Sequence, residues 1–522
     1  MQKTHIMSDE TGKDIVTALQ GLATKPVPAY DSKAGRYTNA SLKAWLVAGA
    51  DGKAYGVSVP KSAATACTKT GANAGMTNPV PGIIGRRAVD PYEGIGAFRF
   101  YEVNGGVSAD GMPYVTAIQG DGRFSRDGSN GDVWIMTPVL NWKCTETDDA
   151  VSFTASDAPL AELEKQPQAY LPDGSIRPYM LYAKYALVSA TDGLLSCSGR
   201  NPRTYDVSFN TLIDIANSLK TGYSGKTHAD DWYVKLMFLL KYSSKSSQSV
   251  FAGCTGYDVQ VAVTKAETGT RRVIVSKTDA AKFVVGSTVS VGSKSGDRGN
   301  STTHDIADRC KITSIDAIDD SNSALTLDSV STFDTATTQY VTTYPWQTGA
   351  CDAVEGDGSP YDCMSGKEPF VIQGIELGLG MYEIIGNVIF DVTGSGTNAI
   401  VCTDTRKLTK NSKSGFSDSD GIALPAQDAD ADVWGLYPTA SKHGFIVQQG
   451  RGGGDSKGIC DDIWLPKKTT AATLREWQSL GGLWNWGVAG LFFANAWSGL
   501  TDAWWYIGSR ASATGRGGEA AA

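Results

Sequence analysis

The sequence predicts an α+β protein, and three observations carry that reading. Glycine is abundant, at 59 residues, and only 20% of the chain is charged, a composition that favours short strands and ordered loops over helical bundles. Apolar runs are mostly short and stop at Gly, Asn or Asp clusters, as strands bounded by turns do. Two stretches, beginning near Asn210 and Asp230, instead repeat their apolar residues at helical spacing. With 522 residues the chain is too long for one core, and about two to four domains are expected.

Residues 1–35 read as an N-terminal helix and oligomerisation segment. Within it Ile15, Leu19 and Leu22 fall on one helical face, with Ser8, Asp9 and Thr11 as alternative caps. So short a helix needs a partner, and the same helix in neighbouring subunits would serve. Residues 36–158 turn to strands. Examples are Ala97-Phe98-Arg99-Phe100-Tyr101-Glu102-Val103 before Asn104-Gly105-Gly106, and Val133-Trp134-Ile135-Met136 after Gly128-Ser129-Asn130-Gly131-Asp132. This is a β-rich N-terminal domain.

Residues 159–257 and 345–516 form the α+β body. Its strand-like Tyr179-Met180-Leu181-Tyr182-Ala183 precedes a helix over residues 210–219, with Leu212, Ile215, Ala216 and Leu219 on one face. A second helix starts near the cap candidate Asp230 and turns Trp232, Leu236, Leu239 and Leu240 inward. The pattern resumes at Pro369-Phe370-Val371-Ile372. Between the two halves, residues 258–344 repeat strand-like runs such as Arg272-Val273-Ile274-Val275 and Ala324-Leu325-Thr326-Leu327, the pattern of a small inserted barrel or sandwich. Its tip, Gly296-Asp297-Arg298-Gly299-Asn300, has little to bury and is expected to be mobile. Residues 517–522 read as a disordered tail.

A formal net charge of −8 argues against nucleic acid as a partner, since phosphates need a basic face. The nine cysteines include no Cys-x-x-Cys pair, so neither a zinc ribbon nor a thioredoxin-type site is supported. An odd count points to buried, reduced thiols, with a Cys351–Cys363 bridge as the one alternative. His5, His228, His304 and His443 are scattered singly and read as surface or capping residues. The polar N-terminus lacks the apolar core of a secretory signal.

The C-terminal window is the most informative part of the chain. Trp484, Trp486, Phe492, Phe493, Trp497, Trp504, Trp505 and Tyr506 crowd together among glycines and alanines. Asn485, Asn495, Ser498, Thr501 and Asp502 interrupt it, so membrane insertion is not expected. Large aromatics on a glycine-bent backbone give contact area at low rotamer cost, which suits a recognition surface. Core filling is the competing account for any single ring.

Three motifs in order carry a resemblance. They are Gly380-Met381-Tyr382-Glu383-Ile384-Ile385-Gly386-Asn387-Val388-Ile389-Phe390-Asp391, then Gly481-Gly482-Leu483-Trp484, then Ile507-Gly508-Ser509-Arg510. Together they resemble the C-type-lectin-like fold of the formylglycine-generating-enzyme superfamily, with Ile389 and Ser509 standing where that family has Trp and Phe. Within it the chain looks most like variable proteins diversified by retroelements, of the phage tail, receptor-binding type, and Cys460-Asp461-Asp462-Ile463-Trp464 shares in that likeness. The resemblance implies a C-type-lectin-like C-terminal domain carrying the inserted β unit, behind the β-rich N-terminal domain.

It also implies a function: an adhesin of the phage tail tip, made in the bacterial cytoplasm and carried on the virion, that displays a sequence-variable surface to a bacterial surface protein or glycan. Likeness to fibre-tip proteins implies a homotrimer in contact with other tail proteins. The expected display residues are Leu483, Asn485, Trp486, Val488, Phe493, Asn495, Trp497, Ser498, Thr501, Asp502, Trp504 and Tyr506. They lie between the glycine turns and the anchors Leu491, Phe492 and Ile507, where side chains can point outward. Trp484 and Trp505 are assigned to the core, and Arg510 to a structural anchor.

An enzyme of the same superfamily, or a carbohydrate-active protein, is the alternative, and the residues argue against it. The superfamily's oxidases use a late cysteine pair, and no cysteine follows Cys460. Glu383 and Asp391, or Asp428, Asp430 and Asp432, are carboxylates of the kind glycoside hydrolysis uses, but such residues are common in loops. Asp418-Ser419-Asp420-Gly421 lacks the spacing of an EF-hand, which leaves calcium unsupported. Gly450-Arg451-Gly452-Gly453-Gly454-Asp455-Ser456 lacks the ending of a phosphate loop. No catalytic residue, metal or cofactor is expected.

Overall fold

A computed structural model describes residues 26–188, 193–219, 222–417 and 421–518. Strands take up 35% of the chain and helices 10%, so the protein is mostly β, and the α+β expectation is overturned. The reason lies in what surrounds the helices. Sheets enclose the longest of them, so the helices make no layer of their own. The expected helix at residues 8–23 and the cation-like Asp418-Ser419-Asp420 lie outside the described residues.

Four helices occur among the described residues: α1 (Asn39–Ala48), α2 (Phe209–Leu219), α3 (His228–Tyr242) and the single turn α4 (Lys277–Ala280). Thr227, not Asp230, caps α3. Asp230 sits three residues on and accepts hydrogen bonds from the Thr227 backbone N–H (2.7 Å) and hydroxyl (2.8 Å), closing a capping box. Every residue of α3 is buried, so its charges find partners inside. Lys235 pairs with Asp231 at 2.6 Å, and Lys241 with Asp90 and Asp357. Its aromatic side chains join the sheets around it, Tyr182 stacking on Tyr233 at 4.3 Å and Trp142 meeting Trp232 edge-on at 5.3 Å.

A five-stranded sheet runs in the order Glu164–Lys165, Asn141–Glu146, Ala150–Ser156, Tyr55–Pro60, Thr68–Gly71. A six-stranded sheet joins Tyr101–Val107, Pro113–Ile118 and Val133–Thr137 to Met180–Ala183, Ala511–Ser512 and Ser224–Gly225. That sheet runs across the division expected at residue 158. An eight-stranded sheet is built on the long strand Tyr382–Thr393, which pairs antiparallel with Gly396–Val401 and Thr473–Leu480, and parallel with Ile507–Gly508. Ala494–Asn495, Ile463–Leu465 and Ala431–Val433 extend it.

Six strands between Gln260 and Tyr344 pair only with one another in the sheet they form. The unit's core is nevertheless shared with the body, because Leu483, Trp505, Trp346 and Met381 pack into it. Its tip is docked. Arg298 is buried, pairs with Asp258, donates from Nε to the Thr343 carbonyl at 2.9 Å and lies over the Trp505 ring at 5.2 Å. Cys351 and Cys363 are both free thiols, so the bridge between them is not formed. His228 is buried as the first residue of α3, whose cap is Thr227, so it is neither the surface nor the capping residue expected, and burial pushes its ring down to about 3.

Candidate functional site

The C-terminal window combines buried anchors with exposed aromatic side chains. Leu491, Phe492 and Ile507 are buried, and Phe492 meets Phe238 of α3 edge-on at 6.3 Å. Glycine is required where the chain turns between these anchors. Gly481 has φ of +140°, and a Cβ there would stand 2.4 Å from that of Ala489. A Cβ on Gly490 would meet the Ser247 hydroxyl at 2.2 Å.

The motif residues have structural partners. Arg510 is buried and holds Glu383 through two contacts, at 2.6 and 3.0 Å, while donating to the carbonyls of Ala183 and Glu376. Burial alone would raise the Glu383 carboxyl, but the charges of Arg510 and Lys226 outweigh it and hold it at about 2. Asn387 accepts from the His228 N–H at 2.9 Å and donates to the Cys402 carbonyl at 2.8 Å, tying the long strand to the start of α3. Asp391 is taken by Lys413, and Asp428 by Lys468. These side chains hold the fold together.

Of the expected display residues, Trp486, Trp497, Thr501 and Trp504 are exposed, the tryptophans at 68, 61 and 47%. Asn485, Val488, Asn495, Asp502 and Tyr506 are half-buried. Leu483, Phe493 and Ser498 are buried and are corrected to scaffold. Leu483 fills the seam with the inserted unit against Gly380. Phe493 stacks on Tyr382 at 5.8 Å, and the Ser498 carbonyl accepts the Glu476 N–H at 3.1 Å. Trp484 is half-buried, packs against two of the cores and stands against Tyr506 (4.6 Å) and Trp505 (5.6 Å). Trp505 is buried under Arg298 and Tyr344.

The rings fall into groups. Trp484, Trp504 and Tyr506 form one, the last two parallel at 6.4 Å. Trp497 belongs to another and packs on Trp464 at 4.9 Å. Trp486 lies apart, over Gly256. Tyr382 stands between the rings, meeting Trp484 and Tyr506 edge-on and stacking on Phe493. Beneath the surface two carboxyls are held protonated near neutrality. Burial pushes Glu476 up to about 8, and burial together with Asp432 does the same to Asp462.

Tyr382, Trp464, Arg298, Asp432 and Asp462 were absent from the expected surface. Trp464 carried a signal, as an aromatic two residues after a carboxylate pair. Arg298 carried none, since its contact with Trp505 spans distant parts of the chain. The sequence matches no model of a known protein family and no curated protein.

Proposed function

We propose that the chain is a ligand-binding protein of the phage tail adhesin type, presenting its C-terminal surface to a bacterial cell-surface ligand. One observation carries the reading. Trp486, Trp497 and Trp504 stand exposed on loops whose neighbouring residues are anchored in the core, and exposed tryptophans are favoured at interaction sites. The resemblance to retroelement-diversified variable proteins supports the same reading, because changeable residues on a fixed scaffold are what such diversification needs. Among the described residues no helix is long and apolar enough to cross a membrane.

Binding of the labelled full chain to a panel of bacterial cells tests the proposal. Replacing Trp486, Trp497, Thr501 and Trp504 together by alanine should abolish adsorption and leave the melting temperature within a few degrees, as surface changes do. Phe492→Ala should instead cost about 3–5 kcal/mol through a core cavity. Unchanged adsorption by the fourfold variant would sink the proposal.

The assembly we propose is a homotrimer on the virion, in contact with other tail proteins. A single aromatic site binds weakly, and linked copies raise avidity without new contacts. Light scattering of the full chain should give three times 55.2 kDa, and a clean monomer at micromolar concentration would refute the trimer.

A further inference from the structure

We infer that the Trp464–Trp497 corner of the eight-stranded sheet is a separate sugar-binding subsite, taking a neutral hexose ring on the tryptophan face and its hydroxyls on the carboxyl pair of Asp432 and Asp462. The inference rests on the adhesin reading and deepens it by naming a ligand class.

Strand register builds the corner. Asp432 lies opposite Trp464, Trp464 opposite Asn495, and Asn495 opposite Gln478. Residues in one such row share a face of the sheet, and Asp462, two positions before Trp464, shares it too. The inner end of the row is closed by hydrogen bonds. Asn495 accepts the Trp497 N–H at 2.8 Å and donates to Gln478 at 3.0 Å, and Gln478 donates to Glu476 at 2.7 Å. Arg475 donates to the Trp497 carbonyl at 2.6 Å. Trp497 is thereby fixed with its ring largely in solvent.

The outer end is open. Asp432 is exposed, whereas Asp462 is buried at 3%, its Oδ1 receiving no hydrogen bond from any protein donor. Burial, with the Asp432 carboxyl nearby, pushes the Asp462 carboxyl up to about 8, so it keeps its proton near neutrality. Among the described residues neither has an ion-pair partner, and no third His, Cys, Asp or Glu joins them. A protonated Asp462 beside the exposed Asp432 carboxyl offers one donor and several acceptors, which matches a neutral diol better than a lysine. A pyranose adds an apolar C–H face for the adjacent tryptophan. A buried carboxyl oxygen without a donor beside an exposed ring therefore fits a sugar hydroxyl arriving with its ring.

The test titrates the full chain with maltohexaose, cellohexaose, chitohexaose and mannohexaose, read by tryptophan fluorescence and calorimetry. At least one should saturate below about 10 mM, a weak single-site affinity. Trp497→Ala and Asp432→Asn should each weaken it at least tenfold, Trp504→Ala less than twofold, and affinity should fall above about pH 8 as Asp462 loses its proton. Both weakening variants change exposed residues, and an unaltered melting temperature would show that they fold. Three results would overturn the inference: no saturation by any of the four sugars, equal sensitivity to Trp504→Ala, or tighter binding of an oligolysine peptide. Should the sugars fail while cell adsorption still depends on Trp486 and Trp504, the subsite falls and the adhesin reading stands.

Discussion

Trp486 holds a left-handed backbone, with φ of 42°, while its side chain stands in solvent. That conformation costs a bulky residue about 1–2 kcal/mol, and strain of this kind persists where the surroundings fix it and a function needs it. Here the fixing contact is the Trp486 N–H to the Thr255 carbonyl at 2.7 Å. Glycine would keep that bond and relieve the strain, losing only the ring's contact with Gly256. Trp486→Gly should therefore leave stability unchanged or raise it by up to about 1 kcal/mol, while adsorption to cells falls. Chemical denaturation and the cell-binding assay check the two halves. A clear loss of stability would mean that the ring serves the fold and not a ligand. Legibility at this scale followed the motifs. Arg510 and the anchors at Leu491, Phe492 and Ile507 could be read, because glycine turns and apolar residues mark them locally. Leu483 and Phe493 misled, since an apolar residue beside a turn looks the same whether it points outward or into a seam.

At the scale of elements, periodicity placed α2 and α3 to within a residue or two, and the strand-like runs between residues 258 and 344 coincide with strands. It did not reveal that α3 is enclosed. Its lysines are buried with partners, Lys241 meeting Asp90 and Asp357 from distant segments and Lys235 meeting Asp231 one turn back on the same helix. Nor could it show the tip of the inserted unit lying on Trp505. The deletion of residues 257–345 is the sharpest element-scale experiment. No strand of the unit's sheet pairs with the body, so circular dichroism should still show a folded β protein. Trp505 and Leu483 would lose their cover, so the melting temperature should drop and cell adsorption should weaken. Loss of all soluble protein would show that the shared core is indispensable to the body.

For the whole molecule the buried carboxyls set the response to pH. Burial raises Glu476 to about 8 from an ordinary 4.5, Glu376 to about 7, with Asp352 adding to the effect, and Asp462 to about 8 from 3.8. A raised folded pKa means that the native state binds the proton more tightly than the unfolded chain. The stability it gives is complete below the ordinary value and is lost as pH climbs through 7 to 8. Glu383 works in the opposite direction. Held at about 2 by Arg510 and Lys226, its contribution is complete above 4.5 and lost in acid. The melting temperature should therefore peak near pH 5 and fall toward both pH 3 and pH 9, a maximum well on the acid side of neutrality. Glu476 also accepts the Phe209 N–H at the start of α2 and the Gln478 amide, which leads through Asn495 to Trp497. Glu476→Gln, which cannot ionise, should flatten the fall between pH 5 and 8 without moving the acid limb. A melting temperature that rises steadily from pH 5 to 8 in the unaltered chain would show that these carboxyls are charged in the native state, and the account of the buried face would fail with it.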